Sequence, residues 1–260
     1  MKFAGAWLIS LAMGLALAAQ AASVADAPIA GGRFVSVFPP APGVTTVVPA
    51  YRLDTMLVSN ADFAGFVGKH SEWRRDRVAG LFADAGYLRH WSSEADAGPG
   101  IARQPVTQVS WFAASAYCEA RGARLPRWDE WEFAAAASTT MSDARGDPAW
   151  RQQILDWYST STRGALPAVG ASPANYYGVR DLHGVVWEWV EDAGSMLVSD
   201  DSRVQGDPNR DRFCGSGALT LTQKDNYAMM MRIAMLSSMK ASYSSSTMGF
   251  RCATDAGTRP

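Results

Sequence analysis

The sequence has 260 residues, a formal net charge of -1 at pH 7 and a pI near 6.3. This balance, without a long run of Lys or Arg, excludes a typical nucleic-acid-binding surface, because phosphate binding needs concentrated positive charge. Ten tryptophans and 23 glycines predict a compact, loop-rich domain with aromatic packing instead of a disordered chain.

The first residues have the features of a secretory signal. Lys2 precedes an apolar run, and Ala19-Gln20-Ala21 fits the small-x-small pattern of a signal peptidase site. We therefore expect residues 1–21 to be a cleaved signal peptide, residues 22–260 to form one domain, and the mature protein to be periplasmic or secreted. The rival interpretation is an uncleaved anchor, since the apolar run has about the length of a membrane span. No later segment of the sequence could span a bilayer.

A short amphipathic helix is predicted in "SNADFAGFVGKH". Ser59 or Asn60 can act as its N-cap, because both residue types accept a hydrogen bond from the free backbone N–H groups of a first turn. Phe63, Phe66 and Val67 recur at helical spacing and predict the buried face.

Two further helices are predicted in the middle of the chain. "SWFAASAYCEARG" begins at a Ser110 cap and ends at Gly122. Its buried side is expected to hold Ala113, Ala114, Tyr117 and Cys118. "PRWDEWEFAAAA" has Pro126 near its first turn and the acids Asp129 and Glu130 early, where the helix dipole favours them. Between residues 137 and 174 the pattern weakens and predicts no element.

The stretch "GVVWEWVED" predicts a strand. Trp187 and Trp189 alternate with Glu188, which is the period of two that a strand imposes. The favoured interpretation places both rings in the core and pairs Glu188 with a buried partner such as an arginine.

A methionine-rich stretch precedes the C-terminus. Met231, Met235 and Met239 are spaced so that they share one helical face, and thioethers can bind copper(I). The favoured alternative is a buried helix, because Ile233 and Leu236 make the segment apolar nearly all round and methionine is a flexible core filler.

Several blocks of the sequence carry a resemblance to a known family. They are, in chain order, "GGRF" from Gly31, "VSNADFAGFV" from Val58, "PVTQVSWFAASAYCEARGARLPRWDEWEFAA" from Pro105, "NYYGVRDLHGVVWEWVED" from Asn175 and "MGFRC" from Met248. Together they resemble the formylglycine-generating enzyme family, also called the sulfatase-modifying factor domain. The resemblance covers nearly the whole mature chain. It implies an α+β domain with a modified C-type lectin-like fold and little regular secondary structure.

The resemblance also implies an oxidation chemistry, and the two cysteines on which it depends are missing from the matching positions of this chain. The enzymes of the family oxidise a cysteine of a client sulfatase with copper and oxygen, using two cysteines upstream of the closing "GFRC". An ungapped count back from Cys252 places those positions on Gln223 and Ala228, and it also aligns Arg232 with an arginine of the family. Copper(I) chemistry of this kind needs sulfur ligands, so formylglycine-generating activity is not expected.

Calcium is doubtful for a similar reason. The family has an Asn after the glycine that precedes the tryptophan block, near a calcium site. Here Val185 stands in that place, and its side chain offers no oxygen to a hard cation.

Three cysteines in an oxidising compartment leave three possible pairs open when judged by spacing alone. The resemblance implies a disulfide between Cys118 and Cys252. Cys214 then remains free, at the position of a family glycine in an "RGGS" turn. It is a weak catalytic or metal-ligand candidate, with a small buried hydrophobe as the favoured alternative.

The histidines and the closing blocks supply only weak binding candidates: His183, Glu188 and Arg251. His183 lies near Asp181 and could carry a proton, although a structural role is favoured for a lone histidine beside a turn. His70 and His90 are predicted to be surface residues.

We expect an exported accessory or maturation factor that acts on a partner protein, for example a redox or copper enzyme. This expectation draws on family relatives linked to pyoverdine and nitrite reductase maturation. One alternative is a copper- or iron-dependent oxidase in which Cys214 or the methionines replace the lost ligands. Another is a non-catalytic, lectin-like binding module, since a fold does not fix a function.

Overall fold

The computed structural model describes residues 25–257 except 38, 40–43, 160–163, 194–231 and 237. The expected signal peptide lies outside the described residues, and so do Cys214, Gln223, Ala228 and Met231.

The described chain contains seven short strands in three small sheets. The largest of them is an antiparallel sheet of three strands, with β4 (Tyr51–Asp54) between β1 (Asp26–Ile29) and β7 (Ala253–Asp255). β2 (Gly32–Phe34) and β3 (Thr46–Val48) form an antiparallel ribbon. β5 (Trp187–Glu188) and β6 (Met248–Gly249) are parallel. The two ends of the described chain therefore meet in one sheet.

Four α-helices connect and cover these sheets in the part of the chain that is described. They are α1 (Asn60–Lys69), α2 (Trp111–Glu119), α3 (Trp128–Ala135) and α4 (Pro148–Ser159). A 3₁₀ turn (Ser71–Trp73) follows α1, and residues 232–236 are also helical. The fold is thus a mixture of helix and sheet with little regular secondary structure, as expected. Within these residues, no helix combines the length and the apolar character that a membrane crossing requires.

Local sequence signals account for the helices that were predicted. The Ser59 hydroxyl accepts a hydrogen bond from Asp62 N, and the Asp62 carboxylate accepts one from Ser59 N, which is a capping box. α1 buries Phe63, Phe66 and Val67, so its predicted face is confirmed. α2 begins after the Ser110 cap, and it buries the four predicted residues Ala113, Ala114, Tyr117 and Cys118.

α4 was not predicted, although its sequence carries recognisable signals. Asp147 Oδ1 accepts a hydrogen bond from Ala149 N at the helix start, beside Pro148 in the first turn. Trp150, Ile154 and Trp157 then recur at helical spacing, and Ile154 is buried. The polar residues between them weakened the pattern.

The main core is aromatic and lies between α1, α2 and the end of the chain. Phe63, Tyr117 and Phe250 contact one another, with ring centroids 5.3–6.0 Å apart. A disulfide joins Cys118 of α2 to Cys252, and both residues are buried in this core. Helices distant in sequence are therefore held against the last strands by both ring packing and a covalent link.

Candidate functional site

A cleft of about 360 Å³ opens beside β5 and β6. Parallel pairing brings its first wall together, because Trp187 N donates to Thr247 O over 2.8 Å and Trp189 N donates to Gly249 O over 3.0 Å. This pairing places the chain from Gly184 to Trp187 beside Ser246 and Thr247. The first wall thus combines an indole and valine side chains with hydroxyl groups.

The second wall is the segment that leads into α2. Its backbone is fixed by Val106 N donating to Val58 O over 2.9 Å and by Gln108 N donating to Ser245 O over 2.8 Å. Gln104, Thr107 and Gln108 line the cleft from this segment, together with His90 from the preceding loop.

Gln108 is held in an unusual backbone conformation. Its φ is 54°, in the left-handed region that costs a non-glycine residue roughly 1–2 kcal/mol. Its carbonyl accepts a hydrogen bond of 2.8 Å from Leu88 N, and Leu88 is also left-handed, with φ 47°. A hydrogen bond therefore joins two left-handed residues, of which Gln108 lines the cleft and Leu88 is buried behind it in the core.

The part of the cleft lining that the structure describes carries no formal charge. The lining residues that the structure describes include no Asp, Glu, Lys or Arg, and His90 is the titratable one among them. Trp157 of α4 adds a second indole. Such a surface suits an uncharged ligand that has both hydrogen-bonding groups and an apolar side.

Glu188 and Arg251, two of the weak binding candidates, form a buried ion pair in the core beside the cleft. Arg251 Nε donates to Glu188 Oε2 over 2.7 Å, and Arg251 Nη2 donates to Glu188 Oε1 over 3.0 Å. Both side chains are 0% exposed. The guanidinium also donates to the carbonyl groups of Asp54 and Arg180. The predicted buried arginine partner of Glu188 is confirmed, and the pair is structural because neither group faces the cleft.

His183 lies in an aromatic box. Its ring has Trp131, Trp150 and Trp157 around it, with centroids 5.9–6.1 Å away, and its Nε2 lies 2.8 Å from the carbonyl of Ala135. Because a carbonyl only accepts, Nε2 carries the proton. Burial lowers the pKa of His183 to about 4, and the ring is therefore neutral at physiological pH. A buried ring with this pKa is a poor proton carrier, so the structural interpretation of His183 is favoured. The ring also borders a separate cavity of about 120 Å³.

Of the three methionines that were copper(I) candidates, the two that the structure describes, Met235 and Met239, pack in or against the core. Met239 is buried, and Met235 packs against the main core. Among the described residues, no group of three or more His, Cys, Asp or Glu side chains could hold a metal ion.

Among the described residues, no free thiol is present for the copper(I) site that the family resemblance implies. Such a site needs thiolate ligands, and the sulfur atoms of Cys118 and Cys252 are bonded to each other. The ungapped count from Cys252, which predicts Gln223 and Ala228 at the positions of the family's active-site cysteines, falls outside the described residues and stays a prediction.

Sequence reasoning missed His90 and Gln108 as cleft residues. His90 was expected on the surface and is indeed exposed. It also lines the cleft, which the sequence did not predict. No local pattern indicates this role, because the hydrogen bonds that build the wall join residues such as Gln108 and Ser245 that are far apart in the chain.

The described residues form a mixed α and β domain with a cleft of uncharged lining beside a short parallel β pair. Comparison with known families is specific: residues 15–256 match the sulfatase-modifying factor enzyme 1-like domain. The chain belongs to this family.

Two relatives illustrate the range of the family. The chain is 31% identical over 183 residues to the inactive C-alpha-formylglycine-generating enzyme 2 of Bos taurus, a match that covers 65% of this chain and 58% of the relative. It is 29% identical over 269 residues to the formylglycine-generating enzyme of Streptomyces coelicolor, covering 84% of this chain and 83% of the relative. The match thus spans little more than half of the bovine relative. A solved structure, that of PvdO from Pseudomonas aeruginosa, aligns with a TM-score of 0.48 at 14% identity, over 88% of this chain and 94% of that one.

Proposed function

We propose that this protein is a non-oxidising member of its family, an exported accessory or maturation factor that binds a segment of a partner protein. Redox or copper enzymes are the class of client that we favour. The protein would recognise and hold its client without converting cysteine to formylglycine.

The observation that carries this proposal is that the disulfide leaves no pair of free cysteines in the chain. The chain has three, and two of them are joined in a disulfide. By the ungapped count from Cys252, Gln223 and Ala228 stand at the positions of the active pair, and neither side chain can form a thiolate. A similar relative whose name describes it as inactive supports the view that the family includes members without the oxidase activity.

The cleft beside β5 supports the binding part of the proposal. It is open to solvent, it has indole and valine side chains next to amide and hydroxyl groups, and it contains no charged lining residue in the described chain. A client segment can bury apolar atoms on the indoles and form hydrogen bonds with the amides.

Export is the remaining part of the proposal. The expected signal peptide at residues 1–21 and the pairing of Cys118 with Cys252 both suit an oxidising compartment outside the cytoplasm. Analysis of the N-terminus of protein isolated from its own cells tests this part, and a chain that begins after Ala21 is the expected result.

The catalytic part is tested by incubating the purified protein with a sulfatase-type cysteine peptide, copper(I) and oxygen, followed by mass spectrometry. We expect no change of the peptide mass, because the thiolate ligands are absent. The Streptomyces coelicolor formylglycine-generating enzyme is the positive control. The double variant Gln223→Cys/Ala228→Cys asks whether restored thiols gain copper binding. Conversion by the unmodified protein would overturn the proposal and would direct attention to Cys214.

A further inference from the structure

The hydrogen bonds between His90 and Gln108 determine which nitrogen of the His90 ring carries a proton. Gln108 Oε1 lies 3.0 Å from His90 N and 3.0 Å from His90 Nδ1. The backbone N–H is always a donor, so the group that faces it is the amide oxygen of Gln108 and not its nitrogen. The same oxygen can only accept from the ring. Nδ1 therefore carries the proton, and Nε2 of the neutral ring is a hydrogen-bond acceptor.

The ring is neutral near pH 7. Partial burial against the protein lowers the pKa of His90, the hydrogen bond to Gln108 opposes that shift, and the positive charge of Arg75 adds to it. The Nε2 lone pair is thus available under physiological conditions.

Two groups of this pair remain for a ligand. Within the described chain, neither His90 Nε2 nor the amide nitrogen of Gln108 has a hydrogen-bond partner. Both residues line the cleft, and the left-handed backbone of Gln108 is kept in spite of its strain. Strain at a binding surface indicates that the geometry serves more than folding.

We propose that His90 and Gln108 determine the specificity of the cleft by presenting one acceptor and one donor to an uncharged amide of the client. Gln108 Nε2 donates to the amide C=O, and His90 Nε2 accepts from an amide N–H. The ligand class is an extended peptide segment without charged side chains, whose apolar atoms lie against Trp157 and Trp187. This inference rests on the proposed binding function and adds the chemistry of what is bound.

The first test is the protonation state of the ring. Long-range ¹H–¹⁵N NMR of the intact protein at pH 7.5 distinguishes a protonated Nδ1 from a protonated Nε2. We expect His90 to have a protonated Nδ1 and a bare Nε2. A protonated Nε2 would overturn the proposal, because the pair would then offer two donors.

The second test uses phage-displayed heptapeptides built without Asp, Glu, Lys and Arg, selected on the purified protein. The selected peptides are then synthesised with acetylated and amidated ends, and their dissociation constants are measured. Gln108→Glu keeps an oxygen acceptor for His90 N but removes the amide donor, so we expect binding to weaken at least tenfold. His90→Phe removes the ring acceptor and is expected to weaken binding similarly.

Gln104→Glu is the matched control, because it places the same new charge in the same cleft outside the pair. We expect Gln108→Glu to weaken binding at least fivefold more than Gln104→Glu does. The inference is overturned if Gln108→Glu and Gln104→Glu weaken peptide binding equally. It is also overturned if the uncharged library yields no enriched peptide, or if the selected peptides bind the Gln108→Glu and His90→Phe variants as tightly as the unmodified protein. Melting curves of all variants confirm that they are folded. Oxidation of a cysteine peptide by this protein would contradict the proposed non-oxidising function. It would not affect the inference that His90 and Gln108 recognise an amide of the client.

Discussion

Glu132 and His183 are buried titratable side chains. Burial raises the pKa of the glutamate and lowers the pKa of the histidine. Glu132 is 0% exposed and accepts hydrogen bonds from Val37 N over 2.8 Å, from Trp128 Nε1 over 3.0 Å and from the Ser36 hydroxyl. Burial nevertheless raises the pKa of Glu132 to about 7. Burial lowers the pKa of His183 to about 4. Both side chains therefore favour the neutral form in the folded protein.

The two shifts affect stability in opposite directions over the same pH range. Between pH 4.5 and 7 the folded state keeps the Glu132 proton that the unfolded state releases, so this group's contribution is full at low pH and is lost as pH rises. Between pH 6.5 and 4 the unfolded state binds a proton that buried His183 refuses, so this contribution is full at high pH and is lost as pH falls. The two effects nearly cancel in the intact protein.

Single variants should reveal each effect. From pH 7 to pH 5, the free energy of unfolding of His183→Phe should rise by about 2 kcal/mol relative to the unmodified protein, because only the gain from Glu132 remains. That of Glu132→Gln should fall by about 2 kcal/mol, because only the loss from His183 remains. Urea unfolding at several pH values measures both. Variants that follow the pH profile of the unmodified protein would show that the buried groups titrate normally.

At the level of secondary structure, glycines differ sharply in what they contribute. Gly31 connects β1 to β2 at φ 69°, and a Cβ there would lie 2.2 Å from the carbonyl oxygen of Val48. Gly65 lies in α1 and is exposed, and a Cβ there would meet nothing within 4 Å apart from its chain neighbours and its own helix backbone. The first glycine allows a close approach of backbones, whereas the second only weakens a helix.

The same substitution should thus have opposite results at the two positions. Gly31→Ala should lower the free energy of unfolding by at least about 2 kcal/mol, since it adds left-handed strain to a backbone clash. Gly65→Ala should raise it by about 0.5–1 kcal/mol through helix propensity. Thermal and urea unfolding of both variants measure the difference. A stable Gly31→Ala protein would contradict the turn geometry, and a destabilised Gly65→Ala protein would indicate a contact on that face of α1.

The elements that the sequence could predict are those with local causes. α1 and α2 have serine caps and a regular apolar face, and these signals lie within a dozen residues. The strands are only two to four residues long, so a period of two has little room to appear. Their partners are distant, as in the pairing of β4 with β7. The cleft depends on the same long-range pairings, so His90 could not be placed at a site from the sequence. Glu188 could be predicted to have a buried arginine partner, because the local alternation with Trp187 and Trp189 marks it as a strand residue within the core.

For the whole molecule, one small region joins the beginning, middle and end of the chain. Arg121 donates two hydrogen bonds, of 2.8 and 3.0 Å, to the carboxylate of Asp54, which also accepts from Cys252 N over 3.0 Å. β4 pairs with β7 beside this carboxylate. The disulfide between Cys118 and Cys252 closes the same region over a separation of 134 residues. Noncovalent contacts thus position both cysteines independently of the covalent bond.

Removing this disulfide should destabilise the protein without changing its fold. Closing a loop of this length restricts the unfolded chain, and loss of the link is expected to cost roughly 4–5 kcal/mol. Cys118→Ser should therefore lower the melting temperature strongly, whereas Cys214→Ser should change it little because the expected pairing leaves that thiol free. The contacts of Asp54 should keep the Cys118→Ser variant native-like at low temperature, with unchanged near-ultraviolet circular dichroism. Peptide mapping without reduction identifies the linked pair directly, and a crosslinked peptide containing Cys214 would contradict the assignment.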